Sequence, residues 1–214
     1  MSDTPEPVTP IRPSVAASPA QAPETAEAAD TGDPRRPGAA ESKWRRHSVF
    51  LWALASTVVV VDQLTKAAAV ATLSDGHRVN LLGDWLTLVL VRNPGAAFSF
   101  ATGQTWIFSI VAAVVTVVII RASRRLGSTW WAAALGLVLG GAVGNLIDRL
   151  ARAPGVLRGH VIDFIDYGGW FVGNVADIAI VSGAVFIMAL SLRGREIDGT
   201  RTGETRGRHV ERGS

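Results

Sequence analysis

Along the chain, apolar residues are gathered into blocks rather than spread evenly. Four blocks are long: 48–70, 105–120, 130–150 and 175–192. Bilayer hydrocarbon is about 30 Å thick and takes roughly 17–25 helical residues to cross, so each block has, or nearly has, the length of a membrane-spanning helix. The second block is the shortest, and Asp62 interrupts the first. A fifth run, WLTLVLV at 85–91, is too short to span; its β-branched and leucine-rich make-up predicts a strand. Asn93-Pro94-Gly95 forms a turn signal after it, small residues lead on to the second span, and 160–166 offers a partner strand. The predicted fold class is membrane α: four transmembrane helices with a small extracytoplasmic β platform. Such a platform suits an extended peptide added as a further strand.

The ends differ from the middle. Residues 1–42 are rich in Pro, Ala, Thr, Ser, Asp and Glu and lack aromatics, so they cannot bury enough surface to offset the entropy of ordering. A disordered tail is predicted there, a membrane domain over 43–192, and a second disordered, basic tail over 193–214. Lys43, Arg45 and Arg46 precede the first span, Arg121, Arg124 and Arg125 separate the second from the third, and Arg193, Arg195 and Arg201 follow the fourth. Positive charge collects on the cytoplasmic side, which places both termini inside. Arg78, Arg92, Arg149, Arg152 and Arg158 lie on the opposite side, accompanied by acids. The basic tail is read as fixing orientation, not as a nucleic-acid site. The start of the chain is polar, so no cleavable signal peptide is expected and the first span acts as its own targeting signal. The chain has no cysteine, which excludes disulfides, thiolate catalysis and thiol-held metals. His47, His77, His160 and His209 lack ligand spacing, so neither metal nor cofactor is expected.

The polar residues inside this greasy middle carry the chemistry. VIDFIDYGGWFVGNVADIAI holds Asp163 and Asp177 on either side of an aromatic and glycine segment. Locally, Asn174 is a good helix cap, Asp177 suits a first turn, and Asp163 is an ordinary loop acid. Topology changes this. Asp62 and Lys66 fall in the outer part of span one, Asn145, Asp148 and Arg149 at the outer end of span three, and Asn174 and Asp177 at the outer start of span four. Ionisable residues are costly in hydrocarbon and mark function there by default; all of these converge on one side, which favours a carboxylate-pair site. Asp62 with Lys66, and Asn145 with Arg149, are four apart and share a helix face, with Asp148 beside the latter. Interhelical hydrogen bonding explains these groups as well as chemistry does. Gly136, Gly140 and Gly144, at four-residue steps, predict close helix packing.

Taken together, VVVDQLTKAAA at 59–69, VRNPGAAFSF at 91–100, GGAVGNLIDRL at 140–150, VIDF at 161–164 and NVADIAI at 174–180 resemble the signal peptidase II family of bacterial membrane aspartyl proteases. The resemblance covers 48–192. It implies that Asp163 and Asp177 are a catalytic dyad and that Asp62, Lys66, Asn93, Gly141, Asn145, Arg149, Asn174 and Ala176 support or line the site. It further implies cleavage of lipid-modified prolipoproteins before the diacylglyceryl-cysteine, at the outer surface of the bacterial cytoplasmic membrane, by an activated water and without metal. Gly173 departs from the family pattern, which has Phe before the Asn; Phe171 is expected to supply that bulk. The segment 151–160 is also long for the family. The competing class is a proton-coupled transporter or channel, since intramembrane acids also mark ion paths. Polar groups confined to one face speak against it.

Overall fold

The structure is a computed structural model that describes residues 39–95 and 105–201, with backbone alone for 39–44. The predicted tails therefore lie outside the described residues over 1–38 and 202–214, as does the small-residue stretch at 96–104. Among the described residues four α-helices form, α1 (Ala39–Leu73), α2 (Thr105–Ala122), α3 (Thr129–Ala151) and α4 (Val175–Leu192). All four are long and apolar enough to cross a membrane. Their bounds follow the apolar blocks closely, and α4 coincides with its block. α1 starts earlier than predicted, at Ala39, and a 3-10 turn at Ser123–Arg125 extends α2.

Helix α3 packs against each of the other three helices, and its glycines explain how. Without a hydrophobic drive inside lipid, helices associate through close van der Waals contact, which small residues permit. A Cβ on Gly140 would lie 2.6 Å from Val58 Cβ and 2.8 Å from the Ala55 carbonyl, and one on Gly144 would lie 2.6 Å from Asp62 Oδ2. Gly136, Gly140 and Gly144 thus form the stripe on which α1 lies. Gly141, on another face, meets the Ala176 carbonyl of α4, and Gly183 of α4 returns the approach against Ala134. Leu51, Ala55, Ala132, Leu135 and Leu139 fill the space at the far end of the bundle. Val117, Val181 and Leu64 stay exposed on its outside, as lipid-facing side chains should.

At the other end lies an antiparallel sheet of β1 (Val79–Leu82), β2 (Leu86–Asn93), β3 (Val161–Asp166) and β4 (Val172–Gly173), in that order. The predicted strand and its predicted partner are β2 and β3; the short β1 and β4 were not foreseen. Alternation along β3 divides its side chains. Ile162 and Phe164 pack with Ala69 and Leu73 at the end of α1, so Val161 and Asp163 face the other way. β2 pairs Asn93 with Val161 and Val91 with Asp163, and an irregularity between Leu88 and Val91 sets that register. The chain after α4 differs from the predicted tail: Arg195 bridges Arg201 around a turn, Gly127 N–H donates to the Ile197 carbonyl at 3.0 Å, and Trp131 Nε1 donates to the Arg195 carbonyl at 3.1 Å. Backbone bonding to the α2–α3 corner holds a segment whose composition alone reads as tail.

Gly140→Ala is expected to destabilise the bundle by about 1–3 kcal/mol, because the new methyl meets a backbone carbonyl that cannot rotate away. Thermal unfolding of the purified protein in detergent measures this.

Candidate active site

Four elements bring the site together. β3 carries Asp163, and β2 carries Asn93 on the same sheet face one diagonal step away, within side-chain reach. Asn93 Nδ2 donates to Asp163 Oδ2 at 2.7 Å, while Asn93 Oδ1 accepts from Gly95 N–H at 2.8 Å and so closes the predicted turn. Asn174 caps α4. Its Oδ1 accepts from Asp177 N–H and its own N–H donates to Asp177 Oδ2, both at 3.1 Å, a reciprocal capping box. The local reading of Asn174 as a cap therefore holds. The rest of both side chains faces the site: Asn174 Nδ2 donates to Asp163 Oδ1 at 2.6 Å, and Asn145 Nδ2, from α3, donates to Asp177 Oδ1 at 2.9 Å.

Behind this lies a buried charge cluster. Lys66 Nζ is 2.8 Å from Asp62 Oδ2, 2.8 Å from Asp148 Oδ2 and 2.9 Å from Asn145 Oδ1. Its three protons are thereby matched to three acceptors. Asp62 Oδ1 reaches across to the backbone N–H of Ala176 at 3.0 Å. That N–H is one of the unpaired donors every helix leaves in its first turn, and a carboxylate is favoured there. Asp148 also takes Arg152 Nε at 2.6 Å and Ile162 N–H at 3.2 Å, which ties α3 to the sheet. Two acids and two bases thus balance in a place where an unpaired charge would be severely costly.

The candidate residues divide into two groups. Asn93, Asn145, Arg149, Asp163 and Asp177 line a cavity of about 190 Å³ together with Phe108 and Phe171. Asp62, Lys66, Asn174, Ala176 and Gly141 stand behind it, each touching a lining residue or the helices that carry one. Asp148 does not pair with Arg149 as their adjacency suggests. It turns to Lys66 and Arg152, while the Arg149 guanidinium lies 5.3 Å from the centre of the Phe108 ring, with one terminal nitrogen lacking a hydrogen-bond partner among the described residues. The ring of Phe171 occupies the place of a side chain at Gly173, since a Cβ there would lie 2.5 Å from Phe171 Cε1. Two contributors were missed. Gln63 Nε2 donates to Asp62 Oδ2 at 3.1 Å and to the Gly144 carbonyl at 3.1 Å; Arg152, one of the arginines on the outer side, closes the cluster at Asp148.

Burial dominates the electrostatics of Asp163. It pushes the carboxyl up to about 6; the bond from Asn93 pulls it down, Asp177 pushes it further up, and Asn174 and Lys66 pull it down again. A carboxyl raised in the folded state favours folding below its unfolded value of 3.8, and that contribution is lost as pH climbs through about 6. At neutral pH the protein thus holds this acid at a cost.

A bundle of membrane-crossing helices with acids gathered in a cavity at one end, above an apolar floor, has the build of a multi-pass membrane enzyme. Comparison with known proteins narrows that class. The family model described as signal peptidase (SPase) II matches residues 54–193. The lipoprotein signal peptidase of Rhodococcus jostii (strain RHA1) is 49% identical over 178 residues, covering 83% of this chain and 90% of that protein. That of Mycolicibacterium smegmatis is 51% identical over 164 residues, covering 76% of this chain and 70% of the relative. A solved structure described as a bacterial membrane enzyme, at 1.9 Å resolution, superposes with a TM-score of 0.58 at 27% identity, covering 66% of this chain and 91% of that one. The chain belongs to the signal peptidase II family, and it is a membrane protease.

Lys66→Met is expected to cost about 3–5 kcal/mol, since Asp62 and Asp148 would be left buried without their shared counter-charge. Adding Asp148→Asn to it should restore part of the loss. Equilibrium unfolding in mixed micelles compares the two variants.

Proposed function

We infer that this chain is the endopeptidase that removes the signal peptide from lipid-modified prolipoproteins, with Asp163 and Asp177 activating the water. The observation that carries the reading is the shared cavity: two carboxylates from different elements face one space, each held by amide donors that fix its orientation. Like charges so placed do not both ionise easily, so one proton is held between them. Asp163, titrating at about 6, is the member that holds it. Asp177 takes a proton from water as the water oxygen bonds to the scissile carbonyl carbon, while Asp163 gives its proton to the carbonyl oxygen. The resulting gem-diol collapses as the C–N bond breaks; the departing amine receives the proton from Asp177, and Asp163 recovers its own from the diol hydroxyl. The enzyme ends in its starting state with no covalent intermediate.

Arg149 supplies positioning in this reading. Its terminal nitrogen, without a partner among the described residues and beside the cavity, suits a substrate carbonyl. Strand addition along β3 is curtailed, because the Ile162 N–H already goes to Asp148 and β4 already takes Ile165 and Asp166; the cavity side chains are therefore assigned the work of holding the peptide. The orientation that the basic flanks favour, with both termini cytoplasmic and the site outward, puts the cleavage point where a signal helix and acyl chains remain in lipid while water reaches the acids. A proton path across the bilayer finds no support. Between the charge cluster and the far end, the described core is Leu51, Ala55, Leu135 and Leu139, and the buried Ser123 and the Nδ1 of His47 lie beyond it at the far end.

Asp163→Asn and Asp177→Asn are each expected to lower cleavage of a diacylglyceryl-modified precursor on the order of 10²–10⁴-fold, the range for loss of an acid–base group, in a gel-shift assay on folded protein. Full activity in either variant would refute the dyad. In the free enzyme, kcat/KM should fall with rising pH above about 6 as Asp163 loses its proton. Asn93→Ala removes a donor that favours the ionised form, so the same limb should move to higher pH even as the overall rate drops. A limb that moves down, or stays, would contradict the assignment of the proton to Asp163.

A further inference from the structure

At the far end of the bundle from the carboxylates, the corner between α2 and α3 holds a second cavity, of about 510 Å³, lined by Val118, Arg121, Ala122, Arg124, Arg125 and Ile197. Arginines at a helix C-terminus are ordinary, because they suit the macrodipole and fix membrane orientation. Three features go beyond that. Arg121, Arg124 and Arg125 are exposed and form no ion pair among the described residues. The turn after α4 folds back to build a wall: Ile197 enters the cavity while its carbonyl is held by Gly127. Asp198, beside Ile197, turns its carboxylate to Thr200, accepting from Thr200 N–H at 2.9 Å and Thr200 Oγ1 at 2.7 Å, and forms no ion pair with the three arginines among the described residues.

The apolar side of this cavity continues onto the outside of the bundle. Val114, Val117 and Val118 are 55%, 63% and 59% exposed and form a ridge on α2 that the other helices leave uncovered. A ligand that fits both parts has an anionic head for the guanidinium groups and a hydrocarbon chain for the valines. We propose that this corner is a binding site for an anionic phospholipid, its phosphate held by Arg121, Arg124 and Arg125 and one acyl chain lying along the valine ridge. Arginine matches phosphate by paired hydrogen bonds as well as by charge. The cavity volume falls within the about 300–1,000 Å³ typical of small-molecule sites. Through the docked turn, the bound lipid would tie the end of α4 to the α2–α3 corner, which makes lipid composition a determinant of bundle stability at the face remote from the chemistry.

The test uses the full chain in neutral detergent, titrated with phosphatidylglycerol or with phosphatidylcholine of the same acyl chains. Thermal unfolding and native mass spectrometry provide the readouts. Phosphatidylglycerol is expected to raise the unfolding temperature and to remain bound, and phosphatidylcholine to do neither. The triple variant Arg121→Gln/Arg124→Gln/Arg125→Gln should weaken phosphatidylglycerol binding by about a hundredfold, as expected for three cationic contacts near a membrane surface. Arg158→Gln, at the sheet end, should leave it unchanged. Ile197→Glu, which places an acid inside the cavity, tests the same site independently should the triple variant fail to fold; it should weaken binding in the same direction. Equal response to the two lipids, undiminished phosphatidylglycerol binding in a folded variant of either kind, or the full effect from inorganic phosphate alone would overturn the proposal.

Discussion

The ammonium of Lys66 is the constraint on which the site rests. Asn145 has two ends, and only its carbonyl oxygen can accept from Lys66, so the amide group must point the other way, toward Asp177. Asn174 is fixed by the same logic, since its oxygen accepts from the Asp177 backbone and its amide is left to donate to Asp163 and Asn145. One buried charge thereby sets the sense of a chain of hydrogen bonds that ends on both acids. In a low-dielectric interior each bond also polarises its neighbour. The charge itself is tolerable only because Asp62 and Asp148 flank it and are themselves tied down, one by the start of α4 and the other by Arg152 and the sheet.

This arrangement divides the molecule along its long axis. Glycines on two faces of α3 draw α1 and α4 close enough for side chains of ordinary length to meet across three helices. At one end that closeness is used for polar contacts; at the other it is filled by leucine and alanine. The sheet completes the polar end by burying Ile162 and Phe164 on α1 while turning Asp163 inward. A strand serves here because successive residues point to opposite faces, so one short segment anchors itself and presents an acid.

Much of this was readable in the chain itself. The apolar blocks anticipate the helices because crossing length is a demand of the bilayer rather than of tertiary packing. The four-residue spacing of Asp62 and Lys66, and of the glycines, anticipates which faces meet. The family resemblance named the residues now found lining or backing the cavity. What escaped detection depends on contacts between distant parts. Gln63 follows Asp62 directly and so is expected on a different helix face, yet its long side chain reaches back to Asp62 and to the Gly144 carbonyl. Asp148 sits beside Arg149 in sequence but chooses Lys66 and Arg152 in space. β1 and β4 are too short to register as periodic patterns, and the turn at 195–201 is held by backbone bonds that composition does not encode.

Asn174 joins two events that are usually separate. The residue that lets the fourth span begin as a helix is also the one that donates to Asp163, and the span's first turn supplies Asp177. A chain whose last span has not yet seated against α3 can still form the local box that starts the helix, but it lacks the contacts from Asn145 and to Asp163 that bring the acids into one cavity. Seating the final helix is thus the step that places both carboxylates on one cavity.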